Sequence, residues 1–275
     1  MKFDMGAAWN EAVAMISANR EVLGIVAGIF FFLPSLLLAI FGPDLNAIMA
    51  APMTTPEEME RVGEQVMSAY SNSWWIFAIA TIAQMVGYIS LLALLRDRGR
   101  PTVGEAIAIG AKGLLPSIAA YLIVTLGLSV LFVAFVALLA AIGVEALIAL
   151  GGLIAFVVII YAMIKFSLAA PVIAIEKVTN PITVLKRSWD LTKGNSFRIL
   201  LFFVLIFLVY FVMSIVAGIV IAGLVAAVGG EIGALIQGVI GGLLGMAATV
   251  VMVAALAATH RQLSGGSASA SATFD

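Results

Sequence analysis

Chemistry-bearing side chains are sparse in this 275-residue chain, and their spacing excludes more than it offers. There is one histidine, His260, and no cysteine, so thiolate nucleophiles, disulfides and cysteine metal sites are ruled out. No P-loop, zinc-protease or nucleophile-elbow pattern occurs. His260 stands beside Arg261 with no acid or nucleophile close in sequence, and reads as a headgroup-level residue rather than a general base. Glu57, Glu60 and Glu64 recur at neighbouring helical turns around Arg61 and could hold a divalent ion. Without an Asp/Asn-rich loop to frame them, they read as a solvated face with local ion pairing. The expectation is no catalytic residue, no metal, no cofactor and no enzymatic activity.

Polar groups inside apolar runs are the other possible source of chemistry. Lys165 lies near one end of such a run, where its stem can carry the ammonium outward, a reading favoured over a substrate or counter-ion site. Gln84, Tyr161 and Gln237 could line a solute path, although such groups more often hydrogen-bond between helices. Gly24 with Gly28, and Gly238, Gly241, Gly242 and Gly245, form small-residue ridges that permit close helix packing.

The elements that must carry these residues are set by composition. The chain is 63% hydrophobic and 11% charged. Its mean hydropathy is +1.19. Both values lie far outside the range of soluble domains. The expected fold is an all-α polytopic membrane protein. About 20 apolar residues cross the hydrocarbon layer, which places six spans near 22–41, 74–95, 115–142, 146–167, 199–228 and 232–259, within a single domain at 1–264. Trp74 and Trp75 mark one aromatic belt. An outer helix is expected at 56–70, opened by the Thr55-Pro56-Glu57-Glu58 capping box, and a flexible Gly/Ser tail at 265–275.

Interfacial amphipathic helices are expected at 4–18, 102–113 and 181–193, each preceding a pair of spans. At a shift of 81 residues, Thr102-Val103 matches Thr183-Val184 and Lys112-Gly113 matches Lys193-Gly194. The economical reading is three repeats of interfacial helix plus hairpin. The third helix is the best bounded, with Asn180 as N-cap, Pro181 at the first helical position and Gly194-Asn195 as its stop. Ile182, Leu185 and Trp189, with Val184, Ser188 and Leu191, form one side, and Lys186, Arg187, Asp190 and Lys193 the other.

Orientation follows from the cations. With the N-terminus in the cytoplasm, Lys2, Arg20, Arg96, Arg98, Arg100, Lys112, Lys165, Lys177, Lys186, Arg187, Lys193, Arg198 and Arg261 all lie at the inner face, and Arg61 alone falls outside. The positive-inside rule then gives both termini a cytoplasmic location. In the central island five cations, Lys177, Lys186, Arg187, Lys193 and Arg198, stand against Glu176 and Asp190. Each cation near an anionic leaflet gains about 1 kcal/mol. Lys177, Lys186, Arg187, Trp189, Lys193 and Arg198 are therefore the expected lipid-headgroup contacts. Membrane lipids, anionic ones included, are the expected partners, with a homo-oligomer or a second membrane protein left open. Nucleic acid is not expected, since the net charge is only −1.

One stretch has a familiar pattern: Phe-Ser-Leu-Ala-Ala-Pro-Val-Ile-Ala-Ile-Glu-Lys at 166–177, then Pro181 through Arg187-Ser188-Trp189, then Leu191-Thr-Lys-Gly-Asn195 and an immediate span. It resembles the membrane domain of the glycerophosphoryl diester phosphodiesterase membrane-domain family and the related YciC-like bacterial inner-membrane proteins. The resemblance implies the fold and an inner-membrane location. Its carry-over stops short of hydrolysis, because the carboxylates and paired histidines of a phosphodiesterase domain are absent. The functional expectation is a membrane scaffold or accessory subunit that engages headgroups through amphipathic helices. The alternative is a permease or exporter of a small or lipid-like solute.

Overall fold

The computed structural model describes residues 2–96, 101–142 and 145–265. Arg98, Arg100, the Gly143-Val144 turn and the expected tail beyond Gly265 lie outside them. Within the described residues every regular element is helical, and six helices are long and apolar enough to cross a membrane. The chain is an all-α, multi-pass membrane protein.

Helix α1 (Met5–Ala27) starts at Asp4, whose carboxylate accepts the Ala7 N–H. It bends at Asn19 (φ −125°, ψ 16°), where the side-chain amide donates to the Met15 carbonyl at 2.9 Å. A π-helical turn, Gly28–Phe32, and α2 (Leu33–Phe41) complete the first crossing. The helix expected at 4–18 is set off from the crossing segment by the non-helical Asn19, although the two run on as α1. Two other expected boundaries are corrected. After the short α3 (Leu45–Met49), α4 (Pro56–Leu94) joins the expected outer helix 56–70 to the second span. Then α5 (Val103–Ile142) joins the expected interfacial helix 102–113 to the third, passing through Pro116. Ser71-Asn72-Ser73 has too little breaking power to end a helix whose two halves both favour continuation. A proline inside a membrane helix is tolerated where neighbours re-satisfy the backbone.

The remaining elements are α6 (Glu145–Phe166), α7 (Ala169–Ile175), α8 (Pro181–Thr192), α9 (Ser196–Val228) and α10 (Gly230–Leu263). Helix α8 stands as a separate amphipathic helix, whereas residues 102–113 do not. The crossing segments form a ring in which α1 and α2, α4, α5, α6, α9 and α10 each pack against the next, and α10 closes back on α1. Helix α7 lies against α4, α5 and α10, with Pro171, Val172, Ile173 and Ala174 buried. It packs into the ring at the end where Phe3 and Gln262 lie.

The core gathers at that same end: residues 91–95 of α4, 253–258 of α10, Leu168, Val172, Ile199 and Phe202 are all buried. Helices approach closely there because glycine admits them. A Cβ on Gly110 would fall on Ser90 Oγ and the Val86 carbonyl, and one on Gly87 on Phe30. Toward the other end fewer side chains are buried within the protein. Among the described residues α9 buries only Ile199 and Phe202, while Phe207, Phe211 and Ile219 are exposed. Apolar surface of this kind is what lipid tails cover.

Candidate functional site: a polar assembly at the closed end

Helix α7 ends in a left-handed turn at Lys177 (φ 59°), the one non-glycine residue with positive φ among those described. That conformation costs an L-residue about 1 kcal/mol, and it turns the chain so that Glu176 faces two partners. Its carboxylate accepts from Arg187 Nε at 3.0 Å and lies 2.9 Å from His260 Nε2. One side chain thereby ties α7, α8 and α10 together. His260 is only 3% exposed, so it faces the protein interior and, contrary to expectation, has an acid beside it. That acid is 84 residues away in sequence.

A second set of bonds fastens the N-terminus. Phe3 N–H donates to Asn195 Oδ1 at 2.8 Å, and Arg198 donates to the Phe3 carbonyl at 3.2 Å. The Gln262 amide bonds both polar groups of the Asp4 peptide unit, at 2.9 and 3.3 Å. The Phe3 ring meets Phe202 edge-on at 5.5 Å. Further along α1, Glu11 pairs with Arg261 at 2.9 Å. Hydroxyls at this end are turned inward: Ser188 donates to the Lys165 carbonyl, Thr192 to the Ser188 carbonyl and Thr259 to the Ala255 carbonyl. The Ser188 bond ties α8 to α6, while those of Thr192 and Thr259 close on their own helices.

Lys165 departs from expectation. Its stem does not carry the ammonium out to water; the residue is 2% exposed. Side chains tilt toward a helix N-terminus, and here Nζ lies back along α6, 5.4 Å from the Tyr161 ring centre and 5.0 Å from that of Trp189. Two aromatic faces stabilise the cation in place of solvent. Trp189 also meets Tyr161 edge-on at 5.9 Å and Phe166 at 5.7 Å.

Helix α8 is therefore docked rather than floating. Asn180 Oδ1 caps it by accepting from Ile182 and Thr183, and Gly194 follows it at φ +78°. Its buried face is Val184, Leu185, Ser188, Leu191 and Thr192, set against α5, α6 and α7. Ile182 at 69% and Trp189 at 40% exposure form the rim of the apolar side rather than its centre. Lys177, Lys186, Arg187, Lys193 and Arg198 are all exposed, with Arg187 held by Glu176 and Arg198 by the Phe3 carbonyl.

The other sequence-predicted residues are scattered. Gln84 lies on α4, Tyr161 on α6 and Gln237 on α10, and among the described residues no hydrogen bond joins them. Cβ atoms on Gly238 and Gly242 would meet Ala39 at 2.6 Å and Phe32 at 3.1 Å, so these two glycines seat α10 against the first crossing. Gly24, Gly28, Gly241 and Gly245 have nothing within 4 Å of that position, and the ridge expected from their spacing is open there. Sequence reasoning gave Glu176, Asn195, Gln262 and Glu11 no site role. Their only local signal is a polar residue at the end of a long apolar helix. Comparison with family models, curated proteins and solved structures finds no match to this chain.

Proposed function

We propose that this protein is a non-enzymatic scaffold or accessory subunit of a bacterial inner membrane, with both termini cytoplasmic, which holds a basic platform against anionic lipid headgroups. The observation that carries this reading is the docking of α8. Its apolar side is covered by α5, α6 and α7, so what it offers outward is Lys186, Lys193 and Arg187. Lys2, Arg96, Lys165 and Arg261 lie toward the same end among the described residues, which favours the positive-inside orientation. The inward-turned hydroxyls favour a structural role over a catalytic one. Kinship with the phosphodiesterase membrane-domain family belongs to this proposal too, resting on residues 166–195. A permease would draw Gln84, Tyr161 and Gln237 around one path, and Tyr161 is instead engaged beside α8.

The test uses the full chain in mixed micelles, with native mass spectrometry to count the lipids it retains. Wild type should enrich anionic over zwitterionic lipid, and the double substitution Lys186→Gln with Lys193→Gln should cut that enrichment about tenfold. Unchanged enrichment in the double variant would remove the platform reading.

A further inference from the structure

Of the six crossing helices, α5 is the least covered in its middle. None of its most apolar stretch of 18 residues is buried within the chain, against 44% of the corresponding stretch of α4. Its close contacts lie nearer its ends: Gly110 and Gly113 stand against α4, and Phe135 and Leu139 against Gly151 of α6. Between them Tyr121, Thr125 and Ser129 recur at every fourth residue, and all three are exposed. Thr125 lies about 20 Å along the helix from Lys112, so the row stands at hydrocarbon depth. We propose that a second copy of this chain packs on this row, α5 against α5, about a two-fold axis along the membrane normal. The proposal rests on neither α8 nor headgroup binding.

The state of the hydroxyls selects the partner. Elsewhere in the crossing helices hydroxyls are turned onto their own backbone: Ser90 donates to the Val86 carbonyl at 2.7 Å, Thr249 to Gly245 at 2.9 Å and Thr259 to Ala255 at 2.7 Å. Thr125 and Ser129 make no such bond among the described residues. Lipid tails at this depth offer neither donor nor acceptor. A hydroxyl is both, so the row is complementary to its own copy without any charge to neutralise. Two chains with one orientation in one membrane meet isologously, which brings Thr125 of each copy together at the axis. Residues four apart form an inclined ridge, and packing two such ridges gives the right-handed crossing of about −40° common between membrane helices. Tyr121 then flanks the crossing on one side and Ser129 on the other.

The full chain, free of cysteine, is reconstituted in liposomes at a low protein-to-lipid ratio as the single variants Thr125→Cys, Ser129→Cys and Ile123→Cys, and oxidised with copper phenanthroline. Ile123 is also exposed but points about 160° away around the helix. Disulfide-linked dimer should form at 125 about tenfold faster than at 123, with 129 between them. A second measurement needs no cysteine. Sedimentation equilibrium in density-matched micelles should show the wild type dimerising, and Thr125→Val with Ser129→Ala should weaken dimerisation about tenfold. The Lys186→Gln, Lys193→Gln double variant should dimerise as the wild type does, which separates this interface from the α8 platform. A chain that stays monomeric at every concentration would overturn the proposal and leave the row to another protein or to lipid. Equal linkage at 123 and 125 would overturn it too, as would a Thr125→Val, Ser129→Ala variant that dimerises like the wild type.

Discussion

The two ends of the bundle are built on different principles. At the closed end Glu176, Asn195, Gln262 and the Phe3–Phe202 pair fasten α1, α7, α8, α9 and α10 into one unit. Toward the other end fewer side chains are buried, and α9 shows Phe207, Phe211 and Ile219 to its surroundings. In lipid an exposed apolar side chain costs little, because the tails are as apolar as the residue itself. Specific structure is needed only where the chain meets water and headgroups, and that is where it concentrates.

The sharpest way to break this contrast is to make the same change at both ends. Phe202→Ala should cost about 3 kcal/mol of stability by opening a cavity in packed protein, whereas Phe211→Ala should move unfolding in detergent by less than about 0.5 kcal/mol. Equal losses would mean that the open end is also packed. A second pair concerns charge. Glu176→Gln should cost about 2 kcal/mol, because buried His260 and Arg187 lose their shared charged acceptor, while Glu64→Gln on the exposed face of α4 should leave thermal unfolding unchanged.

Glycine sharpens the comparison within one helix. In α5, Gly110→Ala should destabilise by about 1–2 kcal/mol, because the new methyl meets Ser90 and the Val86 backbone. Gly127 has open space at that position, so Gly127→Ala should be neutral or slightly stabilising. The smallest effect belongs to the far cap. The Glu58 carboxylate accepts from the Thr54 and Thr55 N–H groups, while Thr55 Oγ1 accepts the Glu58 N–H. Thr55→Ala should weaken that cap by about 1 kcal/mol. Hydrogen exchange should rise in the first turn of α4 with no change in global unfolding.

The six crossings were legible because a run of about 20 apolar residues has few alternatives to spanning. The N-cap at Asn180 and the box at Thr55 were legible because capping is local chemistry. Continuity was not: α4 runs from the outer helix into the second span, and α5 runs through Pro116. Helix α7 went unrecognised because its short apolar run, 171–175, resembles the tail of the preceding span. The Glu176–His260 tie could not be found by spacing, since nothing in sequence brings those positions together. The glycine ridges show the remaining limit. Spacing identified small residues, but only packing separates Gly238 and Gly242, which meet a neighbour, from Gly241 and Gly245, which do not.

The central claim is that α8 is held by its apolar face to the protein and turns its basic face to headgroups. A chain without cysteine makes this directly measurable. Single substitutions Val184→Cys, Ser188→Cys, Thr183→Cys and Asp190→Cys would be labelled with a water-soluble maleimide in nanodiscs with and without anionic lipid. The account predicts that positions 184 and 188 stay unlabelled throughout, while 183 and 190 label readily and more slowly once anionic lipid is present. Labelling of 184 and 188 as fast as 183, or rates at 183 and 190 indifferent to anionic lipid, would contradict it.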